Sequence, residues 1–152
     1  MKVEFINPFI VSTAAVFSQM LAQELTREKP YVRGAFSPLY DVTGIIGLSG
    51  LASGTVAVSM SAEAAISVTE TLLQERPSEV NTQVVDAVGE LTNMIAGAAK
   101  AQLESLQIML GLPTVIIGRS SSIAFPSRAT PICIPFSSKI GALAVEIGIE
   151  AP

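Results

Sequence analysis

Asp86, Glu90, Asn93, Gly97, Lys100 and Glu104 recur along one stretch of the chain at helical spacing. At about 100° per residue they fall within one sector of roughly 80°. They lie opposite the apolar positions Val84, Val88, Leu91, Ile95, Ala99 and Leu106, which places them on the solvent side of an amphipathic helix. Any such helix has a polar face, and a Glu-x-x-Asn spacing alone arises often by chance. Two residues set this face apart. Asn93 and Gly97 each cost roughly 0.5–1 kcal/mol of helix propensity relative to Ala, yet they stand mid-helix on an exposed face, where propensity should decide the residue. Gly97, one turn beyond Asn93, removes a side chain so that another backbone can approach. The stripe reads as a docking face that carries carboxylates, an amide and one cation.

Other chemistry is excluded by composition. The 152 residues contain no His, which removes Ser-His-Asp triads, Cys-His pairs and imidazole-bound zinc. The single cysteine, Cys133, forbids an internal disulfide and a multi-thiolate metal site. It lies in the apolar run Thr130-Pro-Ile-Cys-Ile-Pro135 with no basic neighbour, as a buried structural thiol does. Ser120, Ser121 and Ser122 have no base to activate them and read as loop. A small-molecule hydrolase would need a base or metal set that these residues do not provide. With nine Lys and Arg against thirteen Asp and Glu and no basic cluster, nothing marks a nucleic-acid surface.

With 49% apolar and 14% charged residues, the chain is expected to fold as one domain over residues 1–152. Asn7 and Pro8 suit the N-cap and first position of a helix over Pro8–Glu24, with Ile10, Ala14, Phe17 and Leu21 inward and Ser12 outward. Thr26–Pro30 is a connection. Period-two alternation predicts strands at Tyr31–Phe36, Asp41–Leu48 and Gly54–Met60. Gly47, Gly50 and Gly54 sit between two of these strands with no Lys following, which favours a hairpin over a phosphate loop. A second helix over Ser61–Arg76 opens on Ser61 as N-cap and stops before Pro77, and a third runs from Ser78 to Leu110, where Gly111 and Pro113 end it. On it, Lys100 and Glu104 form an i, i+4 pair.

Three more strands follow, at Thr114–Arg119, Thr130–Phe136 and Gly141–Ile149. The segment Gly54-Thr-Val-Ala-Val-Ser-Met60 resembles Gly141-Ala-Leu-Ala-Val-Glu-Ile147, which points to an internal pseudo-two-fold repeat. The expected class is therefore α+β, a curved six-stranded antiparallel sheet covered on one face by long helices. Gly141–Ile149 is short and neutral, and as an exposed edge it would be paired in a homodimer, which the apolar composition also favours. No unbroken apolar run of about 18 residues occurs, and MKVEFINPF has a Glu where a signal peptide would be apolar. The expected location is the cytoplasm.

The run Asp86-Ala-Val-Gly-Glu90-Leu-Thr-Asn93-Met-Ile-Ala-Gly97-Ala-Ala-Lys100 resembles the signature helix of the CheC/CheX/FliY phosphatases of bacterial chemotaxis. The most specific part is Glu-Leu-x-Asn-Met-Ile-x-Gly. The opening Ile6-Asn-Pro-Phe-Ile10 and the element order are similar to the CheX type, so the resemblance spans the chain. CheC-type members carry two Glu-x-x-Asn helices. The first helix here offers Ser12 and Ala15 in that region, which is the single-site CheX arrangement.

The resemblance implies hydrolysis of the aspartyl phosphate on a CheY-like response regulator, by a homodimer, with Glu90 and Asn93 as the catalytic pair. Asn93 would orient water, and Glu90 would meet a cation in the receiver's site, while Asp86, Gly97 and Lys100 extend the binding face. It implies no cofactor of the chain's own, with Mg2+ on the partner receiver. The rival expectation is a non-catalytic adaptor of the same fold, binding a receiver or a flagellar-switch component.

Overall fold

The period-two segments become strands and the period-3.6 segments become helices. The structure is a computed structural model, which describes residues 3–33, 40–119 and 129–151. In chain order these contain α1 (Val3–Leu21), β1 (Thr26–Arg27), β2 (Tyr31–Val32), β3 (Val42–Ser49), β4 (Ser53–Met60), α2 (Ala62–Leu73) and α3 (Thr82–Ala101). A 3-10 turn (Glu104–Leu106) leads to β5 (Met109–Leu110), β6 (Thr114–Ile117), β7 (Ile132–Ser137) and β8 (Leu143–Glu150). The architecture is α+β. One open sheet has the order β1-β7-β8-β4-β3-β5, with β2 also beside β7 and β6 also beside β3. Each pairing is antiparallel. The six expected strands are joined by two-residue pieces at β1 and β5; of the expected segment Tyr31–Phe36, Tyr31–Val32 is strand and residues 34–36 lie outside the described residues.

The glycine-rich segment after β3 is a hairpin, in which Gly50 takes φ +127 at the bend. The two look-alike segments are neighbours in the middle of the sheet, where Gly54 opposes Ile149 and Met60 opposes Leu143. Strand β8 is therefore interior, bonded to β4 on one side and β7 on the other. The expectation that Gly141–Ile149 forms an exposed edge is corrected, because its pairing needs are met within the chain.

The helices pack together on one face, with α3 against both α1 and α2 and directly on β3. Val42, Ile46, Val56, Val58, Met60, Val145 and Ile147 from the sheet meet Phe9, Phe17, Val68, Val88, Leu91 and Ile95 from the helices in one core. The approach of α3 to the sheet is closest at Gly44 of β3. A Cβ there would overlap Thr92 Oγ1 and lie 3.3 Å from the Val88 carbonyl oxygen.

Each of the three helices departs from its expected boundaries, α3 opening after Asn81 rather than at Ser78. Helix α1 begins at Val3 and holds Pro8 in its interior. Proline removes a ladder bond, but burial of Phe5 and Phe9 on the same helix draws the segment before Pro8 into helical packing. Ser12 is buried and Ala14 exposed, which reverses their expected sides. Helix α2 opens on Ser61, whose Oγ accepts from the Ala64 N–H at 3.1 Å, as the sequence indicates. It ends earlier, where Gln74 adopts a left-handed conformation. Helix α3 opens on Asn81, whose Oδ1 accepts from Gln83 and Val84. It ends at Ala101, well before Gly111, because the burial of Leu103 and Ile108 and the pairing of Met109–Leu110 with β3 require the chain to turn back.

Strand β8 is buried on both faces, so Glu146 is only 1% exposed although it alternates with the core positions. Its Oε1 accepts from Arg33 Nη1 at 2.8 Å, and its Oε2 has no hydrogen-bond partner among the described residues. Burial, only partly offset by Arg33, pushes the carboxyl up to about 7. Cys133 is directly opposite on β7, and Tyr31 opposes Cys133 from β2. Burial pushes the thiol up to about 11, and hydrogen bonding to Cys133 pushes Tyr31 up to about 12.

Two expected outcomes follow from this packing. Gly44→Ala overpacks the contact of α3 with β3 and should cost about 1–3 kcal/mol, lowering the melting temperature by several degrees. Gly44→Ala combined with Thr92→Ala should be more stable than Gly44→Ala alone, as read by thermal unfolding. The second outcome concerns pH. Because the folded state raises the Glu146 pKa from 4.5 to about 7, it retains a proton that the unfolded chain releases between those values. The stability from this group is full below about pH 4.5, declines as pH rises to about 7, and is level above. Denaturant titrations should show a loss of up to about 3 kcal/mol over that window, and Glu146→Gln should remove that slope. The Cys133 and Tyr31 groups titrate too high to contribute there.

Candidate functional site

Helix α3 is rotationally fixed by what it buries. Val84, Val88, Leu91, Thr92, Ile95 and Ala99 face inward, and Thr92 Oγ1 donates to the Val88 carbonyl at 2.7 Å, which satisfies a buried hydroxyl within the helix. Gly89 lies against Pro113 and Val115, with contacts of 3.6–3.9 Å for an added Cβ, so the start of β6 abuts the helix. Asn81 at the N-terminus and the turn after Ala101 fix its ends. With that rotation set, Asp86, Glu90 and Lys100 are exposed and Asn93 and Gly97 half-buried, all on the outward side.

Glu90 and Asn93 are one turn apart, as i, i+3 neighbours about 5–6 Å apart at Cβ. Neither side chain has a hydrogen bond or ion pair among the described residues. A carboxylate and an amide thus stand adjacent on a rigid helix with their polar atoms available to something outside the molecule. Gly97 follows, and a Cβ added there would meet nothing within 4 Å. Among the described residues, no packing requires a glycine at this position.

The predicted pair Lys100 and Glu104 does not form. Glu104 belongs to the 3-10 turn that follows the helix, and no ion pair joins it to Lys100. Lys100 and Glu104 instead border a groove of about 540 Å³ at the end of α3, with Gly97 and Ala101 on one side and Ile108 and Leu110 on the other. Gln107, Ile108 and Leu110 escaped the sequence reading because their apolar spacing continues the helical pattern past the true end of α3.

Helix α1 carries no second site. Ser12 is buried and its Oγ accepts from Gln102 Nε2 at 3.1 Å, which closes this part of α1 against the end of α3. Ala15 is half-buried. Cys133 is a free, buried thiol, in agreement with its expected structural role. Ser120, Ser121 and Ser122 lie outside the described residues. Among the described residues, no group of three or more His, Cys, Asp or Glu side chains comes together as a metal site, and no helix is long and apolar enough to cross a membrane.

Helices on one face of an antiparallel sheet, with a Glu-x-x-Asn pair turned outward on the central helix, define a CheC-like protein. The crystal structure of a CheC-like superfamily protein from Shewanella sp. PV-4 has the same fold, with a TM-score of 0.88 at 33% identity over 99% of this chain and 100% of that one. The model of the family described as chemotaxis phosphatase CheX matches residues 42–137, and the chain belongs to that family. The chain is 27% identical over 126 residues to the CheY-P phosphatase CheX of Thermotoga maritima, covering 81% of each. The fold is shared at 24% identity and a TM-score of 0.83 with the CheX of a Borrelia burgdorferi CheX-CheY-BeF3-Mg2+ complex, over 98% of this chain and 99% of that one.

Since Glu90 and Asn93 support nothing within the fold, Asn93→Ala and Glu90→Lys should each leave the circular dichroism spectrum unchanged. Each should move the melting temperature by less than about 3 °C.

Proposed function

We propose that the chain hydrolyses the aspartyl phosphate of a CheY-like response regulator, using Glu90 and Asn93 on α3. The observation that carries this reading is the pair itself: two polar side chains without partners among the described residues, held side by side on the outward face of a helix whose inward face is packed in the core. Membership of the chemotaxis phosphatase CheX family supports the same activity.

The reaction needs little from the protein beyond position. An acyl phosphate is already activated, and hydrolysis requires a water placed in line with the phosphorus, opposite the bond to the aspartate oxygen. Water attacks phosphorus, the P–O bond to the carboxyl breaks, and the products are the free aspartate and inorganic phosphate. The Asn93 amide orients that water through hydrogen bonds without acting as a base, which suits a chain that contains no His. Glu90 sits one turn earlier and pairs with a cationic side chain of the receiver, holding the helix in register. Asp86, Gly97 and Lys100 extend the contact along the same face. Mg2+, held by the receiver's own carboxylates, supplies charge neutralisation at the phosphoryl oxygens.

Residues 1–152 act as one cytoplasmic domain. We retain the homodimer as part of this reading, with its interface away from β8, since that strand is fully paired within the chain.

The test separates chemistry from binding. Asn93→Ala should lower dephosphorylation of a receiver by at least about 100-fold, with affinity for the beryllofluoride-loaded receiver changed by less than about threefold. Glu90→Lys should weaken that affinity by several kcal/mol, because it sets like charges together, and hydrolysis should fall as a consequence. An Asn93→Ala protein that works at the wild-type rate would end this mechanism and leave an adaptor of the same fold.

A further inference from the structure

Among the described residues the fold gives no reason for a glycine at position 97. Gly44 is required because Thr92 occupies the space of its missing side chain, whereas an added Cβ at Gly97 meets no atom within 4 Å. A glycine within a helix is unfavourable relative to Ala, and none of the described residues makes use of the space. That space opens into the groove of about 540 Å³ bounded by Gly97 and Ala101 of α3 and by Ile108 and Leu110 of the returning chain.

The groove has the form of a protein contact. Lys100, Ala101 and Glu104 on its walls are exposed, so it cannot enclose a small molecule to the 70–90% typical of ligand pockets. Its floor is apolar: Ile108 is buried and Leu110 half-buried. Lys100 and Glu104 stand at its rim with no ion-pair partner among the described residues. An apolar floor within a charged rim is the arrangement that anchors one apolar side chain of a partner. The groove is also continuous with the stripe: Gly97 is four residues, about one turn, beyond Asn93, and Gly97 and Lys100 belong to both. A receiver seated with its phosphoryl group at Asn93 lies over it.

We infer that this groove receives an apolar side chain from the receiver surface beside the phosphorylated aspartate, and so sets affinity and receiver choice separately from the chemistry at Glu90 and Asn93. The inference rests on the proposed phosphatase site. It adds Ala101, Ile108 and Leu110 to the partner surface, residues that lie outside the Glu-x-x-Asn pair and partly outside α3.

The test fills the groove in steps, with Gly97→Ala, Gly97→Leu and Ala101→Tyr, and measures binding to a beryllofluoride-loaded CheY-type receiver that the wild-type protein dephosphorylates. Gly97→Leu and Ala101→Tyr should each raise Kd by about tenfold or more, and Gly97→Ala should raise it less. The loss should appear mainly in Kd and KM, with kcat falling by a smaller factor, and circular dichroism should confirm that each variant is folded. Wild-type Kd in both bulky variants, with Asn93→Ala inactive, would overturn the groove and leave the phosphatase site standing. An Asn93→Ala protein with wild-type turnover would remove both readings together. A Gly97→Leu protein that loses self-association in sedimentation while binding the receiver normally would make the occupant a second copy of the chain, and would also overturn the inference.

Discussion

The contact of α3 with β3 at Gly44 and Thr92 governs the rest of the molecule. The threonine hydroxyl is turned into its own helix, where it bonds the Val88 carbonyl, and the absence of a side chain at Gly44 lets the helix come down onto the strand. Once α3 lies on the sheet in that orientation, α1 and α2 fill the space on either side of it. The outward direction of every other residue on α3 is then determined. A helix proposed to present two side chains accurately to another protein is best held by interior packing, because close-packed cores resist small rotations.

The division of labour along α3 is sharp. Its inward residues are apolar or internally satisfied, and its outward residues have almost no internal role. Glu90, Asn93 and Gly97 contribute nothing visible to stability, and two of them detract from helix propensity. This is the pattern expected when local sequence violates local preference to serve a site. Glu146 presents a different conflict. It is a carboxylate buried on the far side of the sheet, paired with Arg33 through one oxygen only. Desolvation exceeds what the pair returns, so the carboxyl favours its neutral form more than an exposed one does. Its burial follows from the central position of β8, away from the outward face of α3.

Much of the fold was legible. Period-two alternation located β3, β4, β6, β7 and β8, while the similarity of Gly54–Met60 to Gly141–Ile147 pointed to a repeat, and only the structure pairs the two segments at the centre of the sheet. Ser61 marked the start of α2 because its cap is a local interaction. Errors arose where a distant contact overrode a local signal. Pro8 reads as a helix start, yet burial of Phe5 carries α1 past it. Apolar spacing continues beyond Ala101 with no Gly or Pro before Gly111, so the end of α3 was invisible. Strand β8 lies near the end of the sequence, which suggests an edge, and only strand order reveals it as interior.

The sequence by itself determined which residues share the outward face of α3. A helical repeat fixes which residues share a face, so Asp86, Glu90, Asn93, Gly97 and Lys100 were placed together by arithmetic, and the absence of His and of multiple Cys limited what they could do. Only tertiary structure decided what the site is next to. The groove between Gly97 and Ile108 and the open space over Gly97 depend on the chain turning back at Ala101 to pair Met109–Leu110 with β3. The exclusion of Glu104 from the helical face has the same cause. Intrahelical geometry is local and periodic, and can be computed from spacing. The return of a strand to a sheet is fixed by hydrogen bonds and burial between residues far apart in the chain, for which spacing carries no signal.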